Sequence, residues 1–232
     1  MFELYAALGG TVFLLYRRLS TAIELKAQAP LAPLHQSRKI VYGLAALFAI
    51  DSLGGGLLVQ SLLALWLFQR FGISVTAVAT ILFWSGLLSA VSYLVAVPLA
   101  ARIGLIRTMV FTHLPANLFL MLVPFAPNLT IAIGLLLARS ALSNMDVPTR
   151  ASYVMAVVTP EERPAAASLT AVPKVFAWAA GSMMAGYLLT LSTFGWPLLI
   201  GGAVKAAYDI LLLARFQKIR PSEEAAPNDV DA

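Results

Sequence analysis

Long apolar stretches separated by short polar joints run through most of the chain. The stretches lie near residues 40–68, 75–100, 108–126, 129–147, 165–190 and 196–214. About 20 mostly apolar residues are enough for a helix to cross the ~30 Å hydrocarbon layer of a bilayer, since each residue rises about 1.5 Å. The pattern therefore predicts six membrane-spanning helices. Residues 2–16 form a further apolar run that is shorter than a full span.

The joints between these stretches are short and rich in turn-forming residues such as Gly72, Gly104 and Gly195. Consecutive helices are therefore expected to be antiparallel neighbours. We expect an all-α integral membrane protein with a partial transmembrane helix at residues 1–19 and a cytoplasmic linker at 20–39. A six-helix transmembrane bundle at 40–215 and a disordered cytoplasmic tail at 216–232 should follow.

The composition agrees with a lipid surrounding. Hydrophobic residues make up 60% of the chain and charged residues 12%, whereas soluble domains average roughly 45–50% and about 25%. The chain has no cysteine, which excludes disulfides and thiolate metal sites. We expect the lipid bilayer as a partner, and neither a metal nor another cofactor. The net charge of +5 does not indicate nucleic acid, because the basic residues flank apolar runs instead of forming one patch.

The basic residues also predict the orientation. Laid out on alternating spans, the basic residues outside the spans fall almost entirely on one side, with Arg70 on the other. The crowded side carries Arg17, Arg18, Lys26, Arg38, Lys39, Arg102, Arg107, Arg163, Arg215, Lys218 and Arg220. By the positive-inside rule this side is cytoplasmic, and so is the C-terminus. We expect a bacterial inner (plasma) membrane.

One candidate site lies in the first full span. Asp51 is near its middle and is followed by the run Gly54-Gly55-Gly56 and then by Gln60. Consecutive glycines weaken a helix and admit a close backbone approach, which is typical of broken helices that line a transport path. Tight packing of helices at small residues is the alternative. We favour a cavity role for Asp51 and Gln60.

A second candidate site lies on the span from Leu129. Arg139, Ser143, Asp146 and Arg150 are spaced so that a continuous helix would present them on one stripe, and Pro148 should bend that helix near its inner end. For Asp146 and Arg150 we expect a structural network that locks helices together. For Arg139 a structural role and a cavity role remain equally open.

Further ionisable residues lie in the later spans. Lys205 and Asp209 are one helical turn apart and are expected to neutralise each other as structural charges. Lys174, beside Pro173, either extends toward the cytoplasm or contacts a solute. His113 is more often a hydrogen-bonded structural histidine than part of a proton relay. The candidates for a substrate or ion cavity are Asp51, Gln60, Arg139 and Lys174.

Three stretches together resemble one known family. The segment 98–107 is similar to a cytoplasmic loop signature at Leu99, Arg102, Gly104 and the nearby Arg107, although it departs from that pattern at Val97 and Ala101. Residues 139–150 with the loop 160–163 resemble an arginine-bearing helix and the acidic-basic loop after it, and residues 51–56 resemble the opening of a seventh helix. The family is the major facilitator superfamily, and the likeness is to its C-terminal six-helix half.

The resemblance implies a function. Members have two six-helix bundles around a central cavity and move a small solute by alternating access. The resemblance implies a secondary transporter or permease, with Arg102, Gly104 and Arg107 as its loop motif. One bundle and part of a preceding helix account for this chain, so we expect either a missing N-terminal half or a second copy as partner, and favour the missing half.

Other classes of protein fit less well. A membrane subunit that transports nothing, or an incomplete fragment, is the main alternative. An intramembrane enzyme lacks the serine hydrolase and zinc protease motifs, so we expect no catalytic residue. A retinal-type protein would use a lysine in its last helix, and Lys205 is at such a position. ATP is not expected to be the direct energy source, because there is no nucleotide-binding motif.

Overall fold

The computed structural model describes residues 2–17 and 33–216, which fold as helices joined by short connections and contain no strand. The helices are α1 Phe2–Arg17, α2 Arg38–Gly56, α3 Gln60–Phe71, α4 Val75–Ile103, α5 Leu105–Leu122, α6 Leu129–Leu142, α7 Asp146–Val157, α8 Arg163–Leu191 and α9 Trp196–Phe216. Single 3-10 turns at Val123–Phe125 and Pro160–Glu162 follow α5 and precede α8. The predicted all-helical class is confirmed.

Within the described ranges, four segments are helical, long and apolar enough to cross a membrane: Arg38–Phe71, Val75–Ile103, Leu105–Phe125 and Trp196–Phe216. The expected span at 165–190 lies in α8, which is 29 residues long and is not among these four segments. The expected span at 129–147 is interrupted. The count of six spans therefore stays a prediction, and the shorter apolar helix Ala6–Arg17 adds no full span.

The interruption of the span at 129–147 corrects the sequence analysis. A continuous helix from Leu129 was expected, yet α6 ends at Leu142 and α7 begins at Asp146. In the connection, Met145 N donates to Leu142 O at 3.5 Å. Pro148 explains the position of the break, because its ring would crowd the carbonyl of Asn144 in a continuous helix and is tolerated in the first turn of a new one.

The glycine run ends α2. Gly56 is its last residue and α3 begins at Gln60, so the chain is not helical in between. A Cβ atom at Gly56 would lie 2.1 Å from the carbonyl oxygen of Trp178, and one at Gly181 would lie 2.2 Å from that of Leu53. The backbones of α2 and α8 therefore meet directly, as the tight-packing alternative proposed.

The residues of 33–216 pack around two apolar cores. Helix α2 packs chiefly against α8 and α9, while α5 packs against α9, α6 and α7. The larger core includes Leu44, Phe48, Met109, Tyr153 and Tyr208. The second core is built around Trp66, Leu120, Leu136 and Leu198. The charged residues of the candidate site adjoin the first core.

Helix α1 belongs to a second unit. Its side chains from Ala6 to Arg17 are exposed. The expected tail lies outside the described residues except for Phe216, and so does the expected linker up to residue 32. The last two positions of that linker, Arg38 and Lys39, already belong to α2.

Candidate functional site

A carboxylate on α2 binds cations from two other helices. Asp51 accepts a hydrogen bond from Lys205 Nζ of α9 on Oδ1 at 2.6 Å. Its other oxygen, Oδ2, accepts from Arg150 Nη2 of α7 at 2.9 Å. All three side chains are 10% exposed or less. In a low-dielectric interior such contacts are strong, and removing one partner is destabilising because the other remains as an uncompensated buried charge.

Arg150 is the branching point of this network. The same Nη2 also donates to Asp146 Oδ2, one turn earlier on α7. The guanidinium carbon lies 4.8 Å from the ring centre of Phe48 and 5.2 Å from that of Tyr208, so aromatic faces surround the cation. We call Asp51, Asp146, Arg150 and Lys205 the Asp51 cluster. Asp146 and Arg150 were expected to form a structural network, and they do contact each other here.

The expected pairing of Lys205 with Asp209 is wrong. Lys205 contacts Asp51 instead, because Gly54 leaves room for its stem: a Cβ at Gly54 would lie 2.7 Å from Lys205 Cγ. Asp209 points to α5, where its Oδ1 lies 2.9 Å from His113 Nδ1 and its Oδ2 accepts from Asn117 Nδ2 at 2.9 Å. We call His113, Asn117 and Asp209 the Asp209 cluster.

Tyr208 joins the two clusters, and sequence analysis missed it. Its ring is fully buried, lies 6.2 Å from the His113 ring in an edge-on arrangement, and has the Arg150 guanidinium carbon 5.2 Å from its centre. Its hydroxyl is buried without a hydrogen-bond partner in the described part of the chain. A signal was present in the sequence, since Tyr208 follows Lys205 by three positions and shares its helix face.

Arg139 and Lys174 lie at the edge of the Asp51 cluster. Arg139, on the last turn of α6, is partly exposed, and its Nε is buried with no hydrogen-bond partner among the described residues. It lies within electrostatic range of Asp51. Lys174 is half-buried on α8, within range of Asp51, Asp146 and both cations of the cluster. These two cavity candidates therefore approach Asp51 without binding it.

The remaining sequence candidates lie elsewhere. Gln60 is exposed at the start of α3, and no hydrogen bond among residues 33–216 joins it to the Asp51 cluster. Arg102 and Arg107 are exposed on either side of Gly104, between α4 and α5. Gly104 has a φ of 88°, a left-handed conformation that favours glycine. The loop motif therefore includes a glycine that the turn requires.

A second carboxylate with several donors lies in the connection between α7 and α8. Glu162 Oε1 accepts from the backbone N–H groups of His35 at 2.6 Å and Gln36 at 2.9 Å, and Oε2 accepts from Ser37 N at 3.0 Å. These bonds, that of His35 above all, lower the pKa of Glu162 to about 2 although burial opposes the shift. Glu162 thus ties this connection to the segment that leads into α2.

The chemistry available at the Asp51 cluster is charge pairing and hydrogen bonding. The described side chains contain no group of three or more histidine, aspartate or glutamate residues that could hold a metal ion. Arginine and lysine offer donors that match carboxylate or phosphate oxygens.

Comparison with known proteins agrees with this architecture. The sequence profile of the major facilitator superfamily matches residues 44–232. A Saccharomyces cerevisiae protein, "Uncharacterized membrane protein YJR124C", is 24% identical over 178 residues, or 76% of this chain. The chain spans 40% of the length of that relative. The relative is eukaryotic, so the bacterial location expected from the sequence gains no support. No solved structure matches the chain significantly.

Proposed function

Because the chain belongs to the major facilitator superfamily, we propose that it forms part of a secondary transporter that moves a small solute past the Asp51 cluster. Transport would follow alternating access, in which one helical bundle rocks against another around a central site. An ion gradient would supply the energy. The same proposal includes six spans, a cytoplasmic C-terminus and a connection between α7 and α8 on the cytoplasmic side.

The buried charge at Asp51 carries this proposal. A charged side chain at the centre of a bilayer costs about 2.5 kcal/mol or more, so such residues usually pair with one another and mark a solute or ion path. Here Asp51 joins helices α2, α7 and α9 through Arg150 and Lys205. A contact shared by three helices is suited to sense and transmit a change in their arrangement.

The breaks in two helices support the same proposal. Helix α2 ends at Gly56, five residues after Asp51, and α7 begins at Asp146 after a break in the preceding helix. Interrupted helices beside intramembrane charges are typical of transporter binding sites, because freed backbone groups require a cavity or protein partners. Both breaks lie close in sequence to residues of the Asp51 cluster.

One bundle is half of the arrangement that alternating access requires. We propose that the second bundle comes from another half of the protein or from a second copy. The coverage of 40% of the yeast relative supports the first source. One observation favours the alternative, a membrane subunit that transports nothing. Asp51 already has both of its oxygens bonded to cations of the same cluster, so the cluster does not need a solute to neutralise it.

Reconstitution tests the proposal. The full chain is placed in proteoliposomes, a proton or sodium gradient is imposed, and uptake of labelled solutes is followed beside protein-free vesicles. If two copies complete the transporter, we expect gradient-driven accumulation of at least one solute, reduced by Asp51→Asn and unchanged by Arg70→Gln, since Arg70 is exposed at the end of α3. If the second bundle belongs to another half of the protein, uptake should appear only when the chain is reconstituted together with that half. Light scattering reports the oligomeric state. Folded protein that moves no solute in any oligomeric state, either alone or together with a second bundle, would favour the subunit.

A further inference from the structure

Asp209 is a fully buried carboxylate whose contacts are a histidine and an amide. Its Oδ1 lies 2.9 Å from His113 Nδ1, and its Oδ2 accepts from Asn117 Nδ2 at 2.9 Å. Lys205, one turn earlier on α9, is bonded to Asp51 instead. In the described part of the chain, no arginine or lysine forms an ion pair with Asp209. Direct balance of its charge is therefore left to His113.

His113 and Asp209 are neutral as a pair only when they share one additional proton. An ionised Asp209 beside a neutral imidazole leaves an uncompensated negative charge in a low-dielectric interior, which is strongly unfavourable. One more proton removes that charge, whether the pair then consists of imidazolium and carboxylate or of imidazole and carboxylic acid. Either form keeps a hydrogen in the 2.9 Å contact between His113 Nδ1 and Asp209 Oδ1. The two residues therefore bind this proton as a pair.

The charged groups nearest to this pair already have partners. On α9, Lys205 binds Asp51, and on α7, Arg150 binds both Asp51 and Asp146. These residues are the Asp51 cluster, whose two cations and two carboxylates balance one another and leave none over for Asp209. Between the two clusters stands the ring of Tyr208. The further cations on helices packed against α5 or α9, none of them paired with Asp209 within the described ranges, are Arg38, Lys39, Arg102, Arg107, Arg139, Arg163, Lys174 and Arg215.

The pair lies beside a point where α5 can bend. Pro115 is inside α5, between His113 and Asn117, and its missing N–H removes one helical hydrogen bond at the level of the pair. After the proline, Asn117 is held close to α9, since a Cβ at Gly202 would lie 3.0 Å from its carbonyl oxygen. A bend at Pro115 would therefore move His113 relative to Asp209. The His113 side chain is 4% exposed and that of Asp209 0%, so a proton reaches the pair through the imidazole.

We propose that His113 and Asp209 form a proton-binding site. The pair holds one additional proton while α5 and α9 are packed as in this structure, and it releases the proton to water when α5 bends away from α9. In the opened pair, water solvates the Asp209 carboxylate, which then keeps its charge without the proton. The proton is thus the ion that drives the transporter. This coupling rests on the proposed function, whereas the binding of the proton rests on the contacts of the pair.

Histidine spectroscopy tests the site directly, because the chain contains only 2 histidines and the other one, His35, is exposed. The full chain with nitrogen-15-labelled histidine is placed in nanodiscs, and the ring-nitrogen shifts are followed from about pH 5 to pH 9. A His35→Gln variant assigns the signals, and infrared spectroscopy records the carbonyl band of a protonated carboxyl group. At neutral pH we expect an imidazolium at His113 or a carboxylic acid at Asp209, lost as the pH rises. A neutral imidazole beside an ionised Asp209 throughout the titration would overturn the site.

Control variants distinguish proton binding from folding. Asp209→Asn keeps the shape of the side chain and removes its charge, so the additional proton should be absent at neutral pH. Glu161→Gln, at an exposed acid outside the cluster, should leave the titration of His113 unchanged. Because the packed pair binds the proton, the unfolding temperature of the wild-type protein should fall as the pH rises through this titration, and Asp209→Asn should lose that dependence. The same dependence in both proteins would refute the site.

Uptake of labelled succinate, glucose and choline into proteoliposomes, with the second bundle present, separates this inference from the proposed function. Accumulation driven by a proton gradient, and lost in Asp209→Asn while solute exchange at equal pH continues, would support coupling at this pair. Accumulation driven by a sodium gradient alone would refute the coupling and retain the transporter. A pair that titrates as expected, with no uptake of any probe, would retain the site and refute transport. Absence of both the titration and uptake would refute both.

Discussion

The Asp51 carboxylate and the Lys205 ammonium lie 2.6 Å apart, although 154 positions separate them in the chain. This contact fastens the first long helix of the bundle to the last. It replaces the local pairing of Lys205 with Asp209 that the sequence predicts, and it leaves Asp209 free to bind α5.

A double-mutant cycle tests this pairing. Asp51→Asn leaves Arg150 and Lys205 without their shared carboxylate and should destabilise the protein by about 3–5 kcal/mol, as breaking a buried ion pair does. Combining Asp51→Asn with Lys205→Met should cost less than the sum of the single changes. The measurement is unfolding in mixed micelles. The matched cycle of Lys205→Met with Asp209→Asn should show much smaller coupling, and equal coupling in both cycles would contradict the structure.

The contact between α2 and α8 predicts a steric effect. Gly56→Ala and Gly181→Ala each place a methyl group 2.2 Å or less from a carbonyl oxygen of the other helix. Overpacking of this kind costs about 1–3 kcal/mol or more. Thermal unfolding followed by tryptophan fluorescence measures it.

Gly186→Ala is the control for the glycine variants, since Gly186 is on the same helix α8 and has nothing within 4 Å of the added atom. It should be neutral or stabilising, because alanine favours helix by about 1 kcal/mol over glycine. Equal losses of stability at positions 181 and 186 would show that helix propensity or lipid contact, rather than the approach of the two backbones, limits these sites.

Glu162 predicts a pH dependence with a definite sign. The folded-state pKa of about 2 lies below the ordinary 4.5 because of the hydrogen bonds of the carboxylate, that of His35 first. The stabilisation is therefore fully present above pH 4.5 and is lost as the pH falls from there towards 2. In Glu162→Gln one side-chain oxygen becomes an NH₂ group that faces a backbone donor, so the contact should weaken at every pH.

Amide hydrogen exchange at residues 35–37 is the measurement for Glu162. Exchange should accelerate in Glu162→Gln, whereas Glu161→Gln, at the exposed neighbouring position, should leave it unchanged. The wild-type protein should lose protection at these amides between pH 4.5 and 2. If Glu162→Gln kept both the protection and its acid dependence, another group would hold this segment.

The ring of Tyr208 should matter more than its hydroxyl. Tyr208→Phe removes a buried hydroxyl that has no partner among the described residues, so it should be neutral or stabilising. Tyr208→Ala removes the ring that lies against Arg150 and His113, and should cost about 3–5 kcal/mol, as deletion of a large buried ring does. Unfolding of the two variants, measured side by side, shows whether the ring or the hydroxyl contributes more to stability. A large loss in Tyr208→Phe would indicate a partner for the hydroxyl.

Periodicity and local chemistry predicted the parts of the fold that depend on neighbouring residues. The apolar stretches predicted an all-helical chain, and the glycines at 54–56 indicated a weak point in the span that contains Asp51, where α2 ends. Contacts between residues that are far apart in the sequence could not be predicted in this way. Lys205 could pair with Asp51 or with Asp209, and it pairs with Asp51 because Gly54, on another helix, leaves space for its side chain.

The polar stripe predicted from Arg139 to Arg150 shows a second limit of prediction from the sequence. Its spacing assumed one helix, whereas Pro148 and the connection at 143–145 place Arg139 on α6 and the other two charges on α7. The proline was visible in the sequence and predicted a bend. Whether a proline bends a helix or starts a new one depends on how both segments pack, and the local sequence pattern carries no information about that packing.

The meeting of Gly56 with Gly181 restricts how the bundle can move. Side chains between two helices usually allow some sliding, since their rotamers can change as the helices move. At Gly56 and Gly181 the two backbones touch without side chains between them, so no change of rotamer can accommodate such a movement. Sliding of α2 past α8 is therefore hindered at this contact, and we expect any opening of the proposed path to come from the joints around the two helices, such as the connection that separates α6 from α7.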